Sequence, residues 1–125
     1  MSINKVILLG YTGKDPEVKD VAGTKVANLS LATTEKGYTL QNGIQVPDRT
    51  EWHSLIFWKG LAEVVEKYVR KGSQIYIEGK IKTRQYEDRT RSKRYVTEIF
   101  VDKLELWGSR LAQQEASPQS KLYQP

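Results

Sequence analysis

A single change of period constrains most of what this chain can become. From residue 60 to 71, Leu61, Val64, Val65, Tyr68 and Val69 recur at i, i+3, i+4, i+7 and i+8, the spacing of one stripe on a helix. Arg70 and Lys71 fall in its last turn, where cations complement the helix dipole, and Gly72 falls at the C′ position. The spacing therefore predicts one helix over residues 60–71, with its apolar stripe committed to a core. The rest of the ordered chain alternates with period two or is rich in turn residues, so that core has to be made by strands.

Residues 3–9 read as a first strand ended by Gly10, and Gly13 and Asp15-Pro16 mark turns in the segment 11–23. A second strand runs over about residues 25–34, with Ala27, Leu29 and Leu31 on its apolar face. Residues 38–46 alternate on both sides of Asn42-Gly43, a strong hairpin signal, and Pro47 ends that ribbon. A third strand begins near Arg49 and runs into Trp58. After the helix, a fourth strand carries Ile75, Ile77 and Ile81 inward, residues 87–93 form a charged second finger, and a fifth strand returns over about residues 94–107. The order is strand, strand, strand, helix, strand, strand. That is the order of an all-β domain with one helix: a five-stranded antiparallel OB-fold barrel with the helix between strands 3 and 4.

Side chains of a strand alternate between two faces, so Trp52, Ser54, Ile56 and Trp58 share one face and His53, Leu55 and Phe57 the other. The second face suits a core. On the first, the two indoles are about 20 Å apart at ~3.3 Å per residue, too far to pack on each other. They could each be a core or interface hydrophobe, or together a platform for separate flat ligands. Charge downstream favours the platform. Residues 80–95 hold Lys80, Lys82, Arg84, Arg89, Arg91, Lys93 and Arg94 against Glu87 and Asp88, a local net of +5 that equals the formal charge of the whole chain. Such a patch is the electrostatic footprint of a polyanion. Tyr76, Glu78, Lys80, Lys82, Arg84 and Tyr86 alternate base and aromatic on one surface of the fourth strand. Aromatics interleaved with cations, beside basic fingers, make a groove for single-stranded nucleic acid: phosphates meet Lys and Arg, unstacked bases meet rings. A duplex reader would instead present a helix or ribbon carrying Arg, Asn or Gln to base edges.

The 125 residues make one domain, able to bury roughly two-thirds of its unfolded surface. There is no cysteine, so disulfides and thiolate metal sites are excluded. The sole histidine, His53, points away from Ser54, and no Gly-rich phosphate loop or recognisable carboxylate pair is present. An enzyme, a metal site and a cofactor are therefore not expected. The apolar run at Val6-Ile7-Leu8-Leu9 is too short for a signal or membrane segment, so a soluble cytoplasmic protein is expected.

Four stretches resemble the bacterial single-stranded DNA-binding protein family: Asn4-Lys5-Val6-Ile7-Leu8-Leu9-Gly10, Gly13-Lys14-Asp15-Pro16-Glu17, Thr50-Glu51-Trp52-His53 and Lys71-Gly72-Ser73-Gln74-Ile75-Tyr76-Ile77-Glu78-Gly79. The resemblance spans roughly residues 2–105. It implies an OB fold, sequence-independent binding and protection of single-stranded DNA during replication, recombination and repair, and a homotetramer at the bacterial nucleoid. Its base-stacking positions map onto Trp52, Trp58, Tyr86 and Tyr38, with Trp58 standing where Phe is usual and Tyr86 where Trp is usual. It also implies subunit contacts at His53 and Tyr76. The first strand, with Ile3, Lys5 and Ile7, is an apolar edge that needs a pairing partner.

Residues 1–108 are thus expected to be the DNA-binding domain, and 109–125 a disordered tail with four Gln, two Pro and few apolar residues. That tail carries Arg110, Glu115 and Lys121 as its charged side chains, so it is expected to add little to DNA binding. It also lacks the acidic tip with which the family recruits replication and repair proteins. Two other readings use the same residues: an OB-fold adaptor that mainly binds another protein, and an RNA- or oligosaccharide-binding OB domain.

Overall fold

The structure, a computed structural model, describes residues 1–107. Its elements are β1 (Val6–Thr12), β2 (Glu17–Val21), β3 (Thr24–Glu35), β4 (Tyr38–Thr39), β5 (Gln45–Val46), β6 (Arg49–Trp58), α1 (Gly60–Tyr68), β7 (Gln74–Glu87) and β8 (Lys93–Trp107). Five strands close a ring in the order β1-β7-β8-β6-β3, and β3 returns to β1 through Tyr11↔Ala32 and Thr12↔Leu31. This is the OB-fold barrel expected, with the helix between its third and fourth strands. Every pairing in it is antiparallel except one. Strands β6 and β8 run parallel, pairing Leu55 with Ile99 and Ile56 with Phe100.

The core is what the alternation dictates. Leu31 from β3, Leu55 and Phe57 from β6, Ile75 and Ile77 from β7, and Val65 and Val69 at the helix are all fully buried. Helix α1 plugs one end with Ala62, Val64 and Val65, while Leu61 and Tyr68 pack against the same cluster half-buried.

Four local expectations need correction. Residues 17–21, read as part of a turn segment, form β2, which hairpins onto β3 from Glu17↔Asn28 to Val21↔Thr24. The helix stops at Tyr68, earlier than the spacing predicts, because Val69 is already extended (φ −100°, ψ 131°). Gly72, at φ 86°, serves instead a turn in which the Ser73 amide donates to the Arg70 carbonyl over 3.0 Å. The first strand begins at Val6, and Ile3 lies outside it. Asn4 takes the place of a strand residue by bonding both backbone groups of Ile81 through its side-chain amide, at 2.8 and 2.9 Å. Ile81 is itself exposed rather than inward. Strand β8 bulges opposite Glu78/Gly79, and past the β6 pairings of Ile99 and Phe100 β7 and β8 leave the barrel as a two-stranded ribbon. A side chain at Gly79 would strike the Phe100 carbonyl, so the bulge admits only glycine there.

Candidate nucleic-acid interface

The parallel pair β6–β8 aligns Ile56 with Phe100 and so brings Phe100 beside Trp58, ring centroids 6.3 Å apart and tilted by 31°. Along the ribbon, Lys80, Lys82, Arg84 and Tyr86 of β7 stand opposite Phe100, Glu98, Val96 and Arg94 of β8. The Lys82 ammonium lies 4.5 Å from the Phe100 centroid, and the Arg84 guanidinium carbon 5.9 Å from that of Tyr86. One face therefore runs from Trp58 through Phe100 and Lys82 to Arg84 and Tyr86, two cations set between rings at either end. Trp52 lies on the same face of β6 as Trp58. Trp52 is 61% exposed, Tyr86 44% and Trp58 39%, values too high for core residues and suited to rings awaiting a flat partner.

The seven basic residues are not equivalent. Arg84 Nε donates to Glu98 Oε1 over 2.9 Å; Glu98 is almost buried, and it raises the guanidinium above its ordinary value. Arg94 Nε likewise donates to Asp88 Oδ2 over 2.9 Å. Lys80, Lys82, Arg89, Arg91 and Lys93 have no carboxylate within 4 Å among the described residues. These five are open to a polyanion, whereas Arg84 and Arg94 are held in place by their carboxylates.

The second finger is built around Asp88. Its Oδ1 accepts from the Thr90 amide (2.9 Å), the Thr90 hydroxyl (2.6 Å) and the Ser92 amide (3.0 Å). The Thr90 hydroxyl and Arg94 together hold this carboxyl down at about 2. Arg91, at φ 62°, closes the turn, its amide donating to the Asp88 carbonyl over 3.0 Å. The first finger is a small hairpin, Tyr38 opposite Val46, closed by a turn from Leu40 to Gly43. Tyr38 is exposed on it, away from the row of Trp58 and Tyr86 in sequence and in sheet.

A second surface lies on the outer side of β1, β7 and β8. Ile7, Leu9 and Tyr11 are exposed there and stand opposite Glu78, Tyr76 and Gln74. Tyr76 stacks on Trp107 (6.2 Å, 22°) and donates to Glu78 Oε2 over 2.6 Å. That bond raises the Tyr76 phenol, and, with Lys5 at 3.2 Å, lowers the Glu78 carboxyl. Of the residues expected at subunit contacts, Lys5, Ile7 and Tyr76 share this surface, and Ile3 is exposed beside it. His53 is elsewhere: half-buried on β6, its Nε2 lies 2.8 Å from Thr33 Oγ1. From Val6 to Gly10, β1 pairs on one side only, with β7.

Residues 3–107 match the sequence model of the "Single-strand binding protein family". The chain belongs to that family. It is 56% identical over 107 residues to the single-stranded DNA-binding protein of Bacteroides thetaiotaomicron, a stretch that covers 85% of this chain and 66% of the relative. The chain thus spans slightly less than two-thirds of that relative's length. In structure it is similar to the Plasmodium falciparum SSB complex with ssDNA, with a TM-score of 0.76 at 30% identity, over 86% of this chain and 97% of the other.

Sequence reasoning missed Phe100 and Glu98 on the candidate DNA face, and Leu9 and Trp107 on the outer one. Phe100 sits in the apolar run Ile99-Phe100-Val101, where alternation gives no cue to its face. The row of cross-strand partners could have found Glu98, since the return of the fifth strand sets it opposite Lys82. The expected tail, residues 109–125, lies outside the described residues.

Proposed function

We propose that this chain is a non-enzymatic protein that binds and protects single-stranded DNA without regard to sequence during replication, recombination and repair. The observation that carries this reading is the continuous face from Trp58 through Phe100 and Lys82 to Tyr86, with exposed rings set among unpaired cations. Trp52, Trp58, Tyr86 and Tyr38 stack on bases. Lys80, Lys82, Arg89, Arg91 and Lys93 meet phosphates, with Arg84 and Arg94 as oriented contributors. Membership of the family, and the single-stranded DNA in the complex of the Plasmodium relative, support the same ligand. The reading places the protein in the bacterial cytoplasm at the nucleoid; no helix among the described residues is long and apolar enough to cross a membrane.

The assembly proposed is a homotetramer. The free edge of β1 and the apolar residues Ile7, Leu9 and Tyr11 beside Tyr76 and Trp107 leave a surface and a strand edge that a second copy can cover. Light scattering at micromolar concentration tests this, with a monomer mass as the contrary result.

The ligand is tested by titrating the protein with single-stranded DNA, duplex DNA and RNA at several salt concentrations. Single-stranded DNA should bind tightest, with a log–log salt slope of about −0.7 for each phosphate neutralised. Preference for duplex, or affinity that ignores salt, would refute the reading.

A further inference from the structure

Gly13 follows β1 directly and has no side chain, yet it is surrounded. A Cβ built on it would lie 2.7 Å from Cη2 of Trp52 and closer still to Cζ3. The distal edge of the indole therefore rests on the Gly13 backbone. The strand register shows how it gets there: Tyr11, Ala32 and Trp52 stand in one row across β1, β3 and β6. Trp52 reaches over the small side chain of Ala32, spans β3 and meets the chain where it leaves β1. The ring is more than half exposed, so this contact fixes one edge and leaves the rest open.

The floor under the ring is rigid. The Gly13 amide donates to the Ser30 carbonyl over 3.0 Å. Thr12 beside it is buried and tied four ways to the segment after the helix: its amide donates to the Ser73 carbonyl (2.9 Å), its hydroxyl donates to the Arg70 carbonyl (2.6 Å) and accepts from the Ser73 amide (3.0 Å), and its carbonyl accepts from the Gly72 amide (3.0 Å). Gly13 is outside the left-handed region that only glycine adopts freely. Its lack of a side chain is thus a matter of space alone. Alanine fits this backbone, and the one thing that it displaces is the ring.

We infer that Gly13 is a positioning residue for DNA binding, the seat that orients Trp52 for stacking on a base. The inference rests on the proposed single-strand function for its ligand and on the fold alone for its geometry. A stacking ring must present its face at a defined angle, and an exposed indole with no seat would sample several rotamers and lose that much on ordering. Gly13 restricts Trp52 before DNA arrives.

The test is a mutant cycle of Gly13→Ala with Trp52→Ala and Trp52→Phe, read by titration with oligo(dT) and by near-ultraviolet circular dichroism without DNA. Stacking in single-strand-binding OB folds has an established worth of about 1–3 kcal/mol per base, so Trp52→Ala should weaken binding by about 5- to 150-fold. Gly13→Ala in the parent should weaken it by about threefold or more, never beyond Trp52→Ala, and should change the tryptophan dichroism. On Trp52→Ala, or on Trp52→Phe with its shorter ring, Gly13→Ala should cost nothing. Full affinity in Gly13→Ala, or an equal loss on all three backgrounds, would overturn the inference. If Gly13→Ala unfolds the parent but not Trp52→Ala, the steric link stands; if it unfolds both, Gly13 serves the fold and the inference fails. Should the parent bind no oligo(dT), the dichroism still tests the seat while the ligand reading falls.

Discussion

Trp58 and Phe100 face each other across the one parallel strand pairing among the described residues, 6.3 Å apart and tilted by 31°. Because Lys82 lies over the same Phe100 ring, this half-buried side chain links an exposed indole to an exposed cation. It makes the aromatic and basic parts of the face one surface, and it comes from a strand that carries none of the residues picked out for stacking.

Replacing Phe100 by Leu should therefore weaken single-stranded DNA binding although Phe100 is not expected to stack on a base itself. An aromatic pair contributes about 0.5–1.5 kcal/mol beyond burial, and an exposed cation–π contact about 0.5–1 kcal/mol. With part of this expressed in binding, the expected loss is about 3- to 10-fold, measured by fluorescence titration, with the thermal midpoint lowered by a few degrees. An unchanged affinity would show that Trp58 and Lys82 place themselves without it.

Lys59, between Trp58 and the helix, has φ 55° and ψ −123°, a conformation that a side chain disfavours. Such strain costs on the order of 1–3 kcal/mol, partly offset in glycine by its greater freedom when unfolded. Lys59→Gly should raise stability by about 1 kcal/mol, seen as a higher urea midpoint with an unchanged slope, at fixed protein concentration. A lower midpoint would mean that the Lys59 side chain contributes more than its backbone costs.

The barrel was legible because its strands are half-buried. Leu55 and Phe57 alternate with Ser54 and Trp58, and the helical stripe interrupts them at one place. Strand β2 was illegible for the opposite reason: of its residues only Val18 turns toward the core, so Glu17–Val21 shows no apolar face. The helix end misled because Val69 is buried and continues the stripe, although its backbone has already left the helix. The exposure of Trp52, Trp58 and Tyr86 was legible because the alternation set these rings on an outer face. The place of Phe100 beside Trp58 depends on which distant strands become neighbours, and the pairing of Arg84 with Glu98 on the exact register of the ribbon; no apolar alternation encodes either.

The second finger should be a fixed arm near neutral pH. The Asp88 carboxyl is held below its ordinary value of 3.8, at about 2, so the bonds it accepts stabilise the finger fully above about pH 4 and are lost as pH falls through about 2. Carboxyl-carbon NMR should follow a titration near 2, and a midpoint near 3.8 would contradict the bonded geometry. At pH 7, Asp88→Ala should expose Arg89, Arg91 and Arg94 to trypsin several-fold faster without unfolding the barrel. Equal cleavage rates would mean that Asp88 does not hold the finger.

The three tryptophans allow the most direct test of the interface. Trp52 and Trp58 lie on the proposed DNA face, while Trp107 stacks on Tyr76 on the outer side of β1, β7 and β8. Intrinsic fluorescence is titrated with oligo(dT) in two variants, Trp107→Phe and the pair Trp52→Phe with Trp58→Phe. Strong quenching in Trp107→Phe, with little or none in the double variant, is the result predicted. Quenching that survives in the double variant and vanishes in Trp107→Phe would place the DNA on the surface around Tyr76 and Trp107 instead.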